Sequence, residues 1–132
     1  MSKRNSIFTF SAPTPIGPYS QAVKHGKTLY CSGQIGVNPE TQQLVSEKAD
    51  EQAQQAFTNL EAVINAAGAS MDDVVKVNIF ITDFINFGPI NEIMKKFFSE
   101  PFPARSTVAV AGLPLNCLVE IEAIVGLPGE CH

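Results

Sequence analysis

The chain of 132 residues has no tryptophan, two tyrosines and two histidines. His25 falls in a predicted turn and His132 is the last residue, so a Ser-His-Asp or Cys-His nucleophile has no well-placed base. Basic residues are also sparse. Nine Lys and Arg against thirteen Asp and Glu give a net charge of −4, and only Lys3-Arg4 and Lys95-Lys96 are adjacent. A nucleic-acid footprint wants clustered cations, which weighs against that class of partner. No apolar run approaches the length of a membrane span, and Met1-Ser2-Lys3-Arg4-Asn5 carries no apolar signal region. The expected location is the cytoplasm, away from membranes. Cys31, Cys117 and Cys131 are an odd count without secretory context and read as reduced thiols. HExxH, paired CxxC, P-loop and GxGxxG signatures are all missing, and with them the usual marks of zinc hydrolysis, nucleotide hydrolysis and dinucleotide redox.

What is present is patterning for one compact domain over residues 1–132, with about 128–132 as a flexible tail. A short strand is expected over Ile7-Phe8-Thr9-Phe10, then a proline-rich loop ending at Tyr19-Ser20-Gln21. A hairpin follows, over 21–25 and 28–35, and Gly33 inside its second strand suggests a bulge or a close approach to the backbone. Residues Ala53, Ala56, Phe57, Leu60, Val63, Ile64 and Ala67 make one apolar stripe, predicting a helix over 50–67. Asp50 is the expected N-cap and Gly68 the stop, with Gln52, Gln55 and Asn59 on the solvated side. Val74 to Thr82 alternates as a strand, with Val75, Val77, Ile79 and Ile81 expected inward. A second helix over 87–98 tolerates Pro89 in its first turn. Strands over 105–111 and 118–126 close the chain. The order implies an α+β fold: two helices packed on one face of a mixed β-sheet of five or six strands, the other face meeting water or another subunit.

Arg105 and Glu120 are the oddest residues in these strands. The better apolar set of the fifth major stretch is Ser106, Val108 and Val110, and of the last Val119, Ile121, Ala123 and Val125. Matching them puts Arg105, Thr107, Glu120 and Glu122 together on the helix-free face, with Tyr30, Ser32, Gln34, Asn78 and Phe80. A mixed surface of this kind suggests an oligomer interface with polar clefts. Arg105 and Glu120 could form a structural salt bridge there, or a ligand site.

Several stretches carry a resemblance. Ile16-Gly17-Pro18-Tyr19-Ser20-Gln21, Ser32-Gly33-Gln34-Ile35 with Asn38-Pro39, and Val74 to Asp83 come first. Pro103-Ala104-Arg105-Ser106-Thr107-Val108 follows, then Leu113-Pro114 and Val119-Glu120-Ile121-Glu122-Ala123. In this order they resemble the reactive-intermediate deaminases, the Rid or YjgF family, over nearly the whole chain. The resemblance implies a chorismate-mutase-like fold assembled as a homotrimer, with clefts between subunits. It also implies hydrolysis of 2-imino and 2-enamino acids, such as 2-iminobutanoate and 2-aminoacrylate, to 2-oxo acids and ammonia, without cofactor or metal.

Carried onto this chain, Arg105 would hold the substrate carboxylate as a bidentate ion pair, and Glu120 would handle the attacking water and return a proton to nitrogen. Tyr19, Ser32, the Gly33 amide and Thr107 would line the substrate site. Thr107 stands where many members have cysteine, which removes thiol chemistry from that position, and Gly36 replaces a common proline, a change expected to affect only the loop. The alternatives are a non-catalytic, small-carboxylate-binding or regulatory trimer, and an RNA-directed activity, against which the acidic charge weighs.

Overall fold

Alternating and helical periodicities build a six-stranded mixed sheet backed by two helices, in the computed structural model that describes residues 3–129. The strands are β1 (Asn5–Ile7), β2 (Ala22–His25), β3 (Thr28–Gln34), β4 (Val74–Ile81), β5 (Ala104–Ala109) and β6 (Val119–Gly126), and the helices α1 (Ala49–Ala66) and α2 (Phe87–Phe97). They lie in the order β1-β2-β3-β6-β4-β5. Neighbours are antiparallel except β4 and β5, which run parallel because α2 carries the chain back between them.

Both helices cover one face. The α1 stripe is buried throughout, with Phe57 stacked on Phe97 at 5.2 Å and edge-on to Phe98 at 5.9 Å. Ile90 and Met94 bring α2 onto the same core, and Val77, Ile79, Ile81, Val119, Ile121, Ala123 and Val125 form its floor. Burial of a large apolar side chain stabilises by about 1.5–3 kcal/mol, so this layer carries most of the folding drive. Gly68 ends α1 at φ +86°, the left-handed turn expected of it. Cys31 and Cys117 are buried thiols, pushed up by desolvation to about 12 and about 11. Cys131 and His132 lie outside the described residues, as does most of the expected tail. Among the described residues, no helix is long and apolar enough to cross a membrane.

Five local expectations need correction. The N-terminal strand is Asn5–Ile7, and Phe8 and Phe10 leave the sheet to pack edge-on at 4.8 Å. Lys48, not Asp50, is the N-cap of α1 and makes no side-chain cap bond; Asp50 instead accepts from the Glu51 amide while adding negative charge near the positive helix end. A register shift between Val74 and Lys76 turns Val74 inward and leaves Val75 53 % exposed. A second irregularity between Cys31 and Gln34 pairs Gln34 with Ile121 and buries it, so Gln34 leaves the helix-free face. Gln52 and Asn59 are not solvated: they are 2 % and 0 % exposed, and their amides bond backbone outside the helix.

Candidate active site

Glu120 is placed by the sheet. In the antiparallel β4–β6 register Phe80 faces Glu120 and Asn78 faces Glu122, so both carboxylates project from the face without helices. There Glu120 lines a cleft of about 540 Å³ with Tyr19, Ser32, Gly33, Ile16 and Leu115. Its carboxyl is pushed above the ordinary value, first by burial and then by the neighbouring Glu122. Glu122 is itself oriented by the Asn78 side-chain amide, which donates to it at 3.0 Å.

The close approach suggested by Gly33 is made by Glu120. A Cβ at residue 33 would lie 2.8 Å from the Glu120 Cδ and 2.9 Å from its Cγ, so the carboxylate can lie across β3 only over a glycine. Gly33→Ala is expected to fold with little change in melting temperature, because Glu120 can swing away. With Glu120 as the proton-handling group, it should nevertheless lower turnover by about tenfold or more, measured as kcat on folded protein, since displacing such a group costs rate steeply.

The Ser32 hydroxyl donates to the Ser20 carbonyl at 2.6 Å, so it fixes the loop carrying Tyr19 and keeps only its lone pairs for a ligand. Tyr19 is 54 % exposed, its ring beside Gly17 at the cleft mouth. Gln21, 1 % exposed, accepts from the Thr9 amide and donates to the Thr9 and Pro13 carbonyls, which pins the wall leading to Tyr19. Leu115 and Gln42, also lining the cleft, hold φ of 57° and 61°, conformations costly for residues with a Cβ and recurrent beside functional sites.

Arg105 is elsewhere. In the parallel β4–β5 register it sits beside Val77, and Thr107 beside Ile79, both core-facing residues of β4. Arg105 and Thr107 therefore project to the helix side, opposite Glu120, and the expectation that they share its face is overturned. Ser106 and Val108, beside Asn78 and Phe80, occupy the helix-free face instead. The cause is position: β5 is an edge strand that the helices barely cover, so its apolar residues do not mark the core side. Within one chain Arg105 and Glu120 form no salt bridge.

The guanidinium is held by α2. Its Nη1 donates to Asn91 Oδ1 at 2.5 Å and lies 3.6 Å from Met94 Sδ, and its carbon stands 5.2 Å from the Phe87 ring centroid. These residues border a second cleft, of about 340 Å³, lined by Asn91, Met94, Lys95, Phe102, Pro103 and Arg105. Thr107 Oγ1 is buried without a hydrogen-bond partner in the single chain. Sequence reasoning did not reach Asn91, and it placed Phe87 only on the packed side of the second helix, not beside Arg105. The available signal was Asn91 itself, a poor helix former in mid-helix, one turn after Phe87. Among the described residues no group of three or more His, Cys, Asp or Glu could hold a metal ion.

One copy thus presents two separate clefts: Tyr19, Ser32, Gly33 and Glu120 line one, and Arg105 borders the other, while the Thr107 hydroxyl is buried on the same side of β5 as Arg105 and lines neither. The first can move a proton and place a water. The second can hold a small anion.

Residues 9–127 match the family model described as Endoribonuclease L-PSP. The chain is 60 % identical to the 2-iminobutanoate/2-iminopropanoate deaminase of Dermatophagoides farinae, over 95 % of this chain and 98 % of that protein. Among solved structures it superposes on RidA from an Antarctic Psychrobacter with a TM-score of 0.90 and 48 % identity, covering 93 % of this chain and 99 % of that one. It superposes on E. coli TdcF with bound serine with a TM-score of 0.89 and 42 % identity, covering 94 % and 99 %.

Proposed function

The chain belongs to the Rid/YjgF family, described as Endoribonuclease L-PSP, and from that premise we propose that it is a hydrolytic deaminase of 2-imino and 2-enamino acids. The preferred substrates are small ones, 2-iminobutanoate and the 2-iminopropanoate formed from 2-aminoacrylate. The observation that carries this reading is Glu120, a half-buried carboxyl of raised pKa laid over Gly33 in an open cleft. Raising a carboxyl's pKa strengthens it as a base and lets it return the proton it has taken.

Because Arg105 and Glu120 leave opposite faces of one sheet, they act together only if two copies meet. The Arg105 cleft of one copy then docks against the Glu120 cleft of the next, in a homotrimer of the chorismate-mutase-like type. The substrate carboxylate lies on Arg105, whose paired N–H groups match it. Tyr19 closes the mouth. Glu120 takes a proton from water as the water oxygen bonds to the imine carbon, and the C=N π pair moves to nitrogen, which is protonated. Collapse of the carbinolamine breaks C–N as C=O forms, the hydroxyl proton passing through Glu120 to the nitrogen so that it departs as ammonia. The sum is imino acid plus water giving 2-oxo acid plus ammonia. Imines hydrolyse unaided in water, so positioning and proton transfer suffice. Bound serine in the TdcF structure is consistent with a site for small amino-acid-like carboxylates.

The test generates 2-iminobutanoate with an amino-acid oxidase and lets semicarbazide compete for it. The protein is expected to divert the imine to 2-oxobutanoate and suppress semicarbazone. If semicarbazone forms at the same rate with and without protein, the deaminase reading fails; binding of 2-oxobutanoate or serine without such diversion would point to a non-catalytic carboxylate-binding trimer.

A further inference from the structure

The polar side of α1 faces the cleft's backbone. Gln52, Gln55 and Asn59 recur at i, i+3 and i+7, one side of the helix, and Gln52 and Asn59 are almost wholly buried. Asn59 donates to the Ile35 carbonyl at 3.1 Å and the Val37 carbonyl at 2.9 Å, while its own oxygen accepts from Gln55 at 2.8 Å. Gln52 donates to the Ser46 carbonyl at 2.9 Å and accepts from the Leu118 amide at 2.7 Å. The two needs are complementary, an N–H to be accepted and a carbonyl to be satisfied, so they fix the amide's orientation.

The Leu118 bond is the informative one. Leu118 precedes β6, and its carbonyl accepts from the Thr82 amide at 3.3 Å, but its N–H turns to α1 rather than to a neighbouring strand. Two residues later the chain delivers Glu120 to the cleft. Backbone contact reinforces the anchor: a Cβ on Gly36 would come within 2.6 Å of Gln52 Cα, so the loop after β3 lies directly on this turn of the helix. Gly36 therefore affects helix packing as well as its loop. One helical residue thus holds the start of the Glu120 strand while its turn seats the end of the Gly33 strand.

We propose that Gln52 is a positioning residue for Glu120: its side-chain amide sets where β6 enters the sheet, and through that where the carboxylate lies over Gly33. The inference rests on the reading of Glu120 as the water-handling group. Gln52 touches no substrate, so it acts on the placement of Glu120 and leaves the Arg105 half of the site alone.

Gln52→Met removes both bonds at similar volume, and Gln52→Asn keeps the amide but is one methylene too short to reach both partners. Each is compared with Ile64→Val, a core change on the same helix away from the cleft, at temperatures where all are folded by circular dichroism. Gln52→Met is expected to lower kcat about tenfold with KM within about twofold of wild type. It should also move the Glu120 carboxyl titration, followed by carbon-13 NMR, down toward the ordinary value as the loosened strand admits water. Gln52→Asn should shift both readouts the same way and carries the test if Gln52→Met does not fold. A kcat loss no larger than that of Ile64→Val, with the Glu120 titration unmoved, would leave Gln52 a purely structural residue and overturn the proposal. Glu120→Gln in the same assay separates the failures. If it retains wild-type turnover, the role of Glu120 fails; if it is inactive while the Gln52 variants match Ile64→Val, only the positioning inference fails.

Discussion

Arg105→Ala is expected to reduce kcat/KM for 2-iminobutanoate by about a hundredfold to ten-thousandfold, the largest single-site loss on the Arg105 half of the site. Two charge-assisted hydrogen bonds to a carboxylate, each worth about 1.5–3 kcal/mol, are lost together, and each 1.4 kcal/mol is about tenfold in rate. Most of the loss should appear in KM, because the carboxylate is held alike in the ground and transition states. Arg105→Lys should recover little. An ammonium cannot reproduce the planar fork, and it would forfeit the geometry by which Asn91 Oδ1 takes one guanidinium hydrogen while Phe87 lies beside the charge. Melting temperature should hardly move in either variant, since Arg105 is exposed and its hydrogen-bond acceptor Asn91 is only partly buried and can bond water instead. Steady-state kinetics in the semicarbazide competition checks the magnitude, and turnover of Arg105→Ala at the wild-type rate would remove the clamp from the mechanism.

The core of this fold was legible because two elements carry strong periodicity. The α1 stripe and the alternation of β4 and β6 each see a continuous buried surface, so their patterns report geometry directly. Legibility fails where one element ceases to feel the core. β5 lies at the sheet edge, and Ser106 and Val108 are apolar or small on the uncovered face, so their spacing mimicked a core set and reversed the side assigned to Arg105. Two irregularities, at Val74/Lys76 and Cys31/Gln34, flipped local parity by one residue, which alternation alone cannot announce. The pattern of α1 points Gln52 and Asn59 to solvent because a polar residue on a helix is usually wet. Here each finds backbone groups that no strand satisfies, and that depends on loops distant in sequence. At the site, Gly33 was recognisable as an anomaly in a strand, though not which side chain it makes room for. The roles of Arg105 and Glu120 came from motif context, and their separation onto two faces came only from the register.

That separation makes the final prediction the sharpest one. Glu120→Gln keeps the size and hydrogen-bonding of the acid form but cannot take a proton, and is expected to lower kcat by about a hundredfold or more, the scale of general acid–base catalysis. It should not lower stability. The folded pKa of Glu120 lies above its unfolded value, so this carboxyl favours the fold fully below the unfolded value, and that contribution is lost as pH rises through the raised folded one. Above that window the neutral glutamine is expected to match or exceed wild type in melting temperature while remaining nearly inactive. Arg105→Ala and Glu120→Gln are then both crippled, yet in a shared site they damage different copies. Unfolded together in equal amounts and refolded, they should regain activity near one quarter of wild type, because about one interface in four pairs an intact Arg105 with an intact Glu120. If both residues served a site within one chain, every site would carry one lesion and mixing would restore nothing. The sheet places the two side chains on opposite faces, so recovery is the expected result, and its absence would sink the composite site.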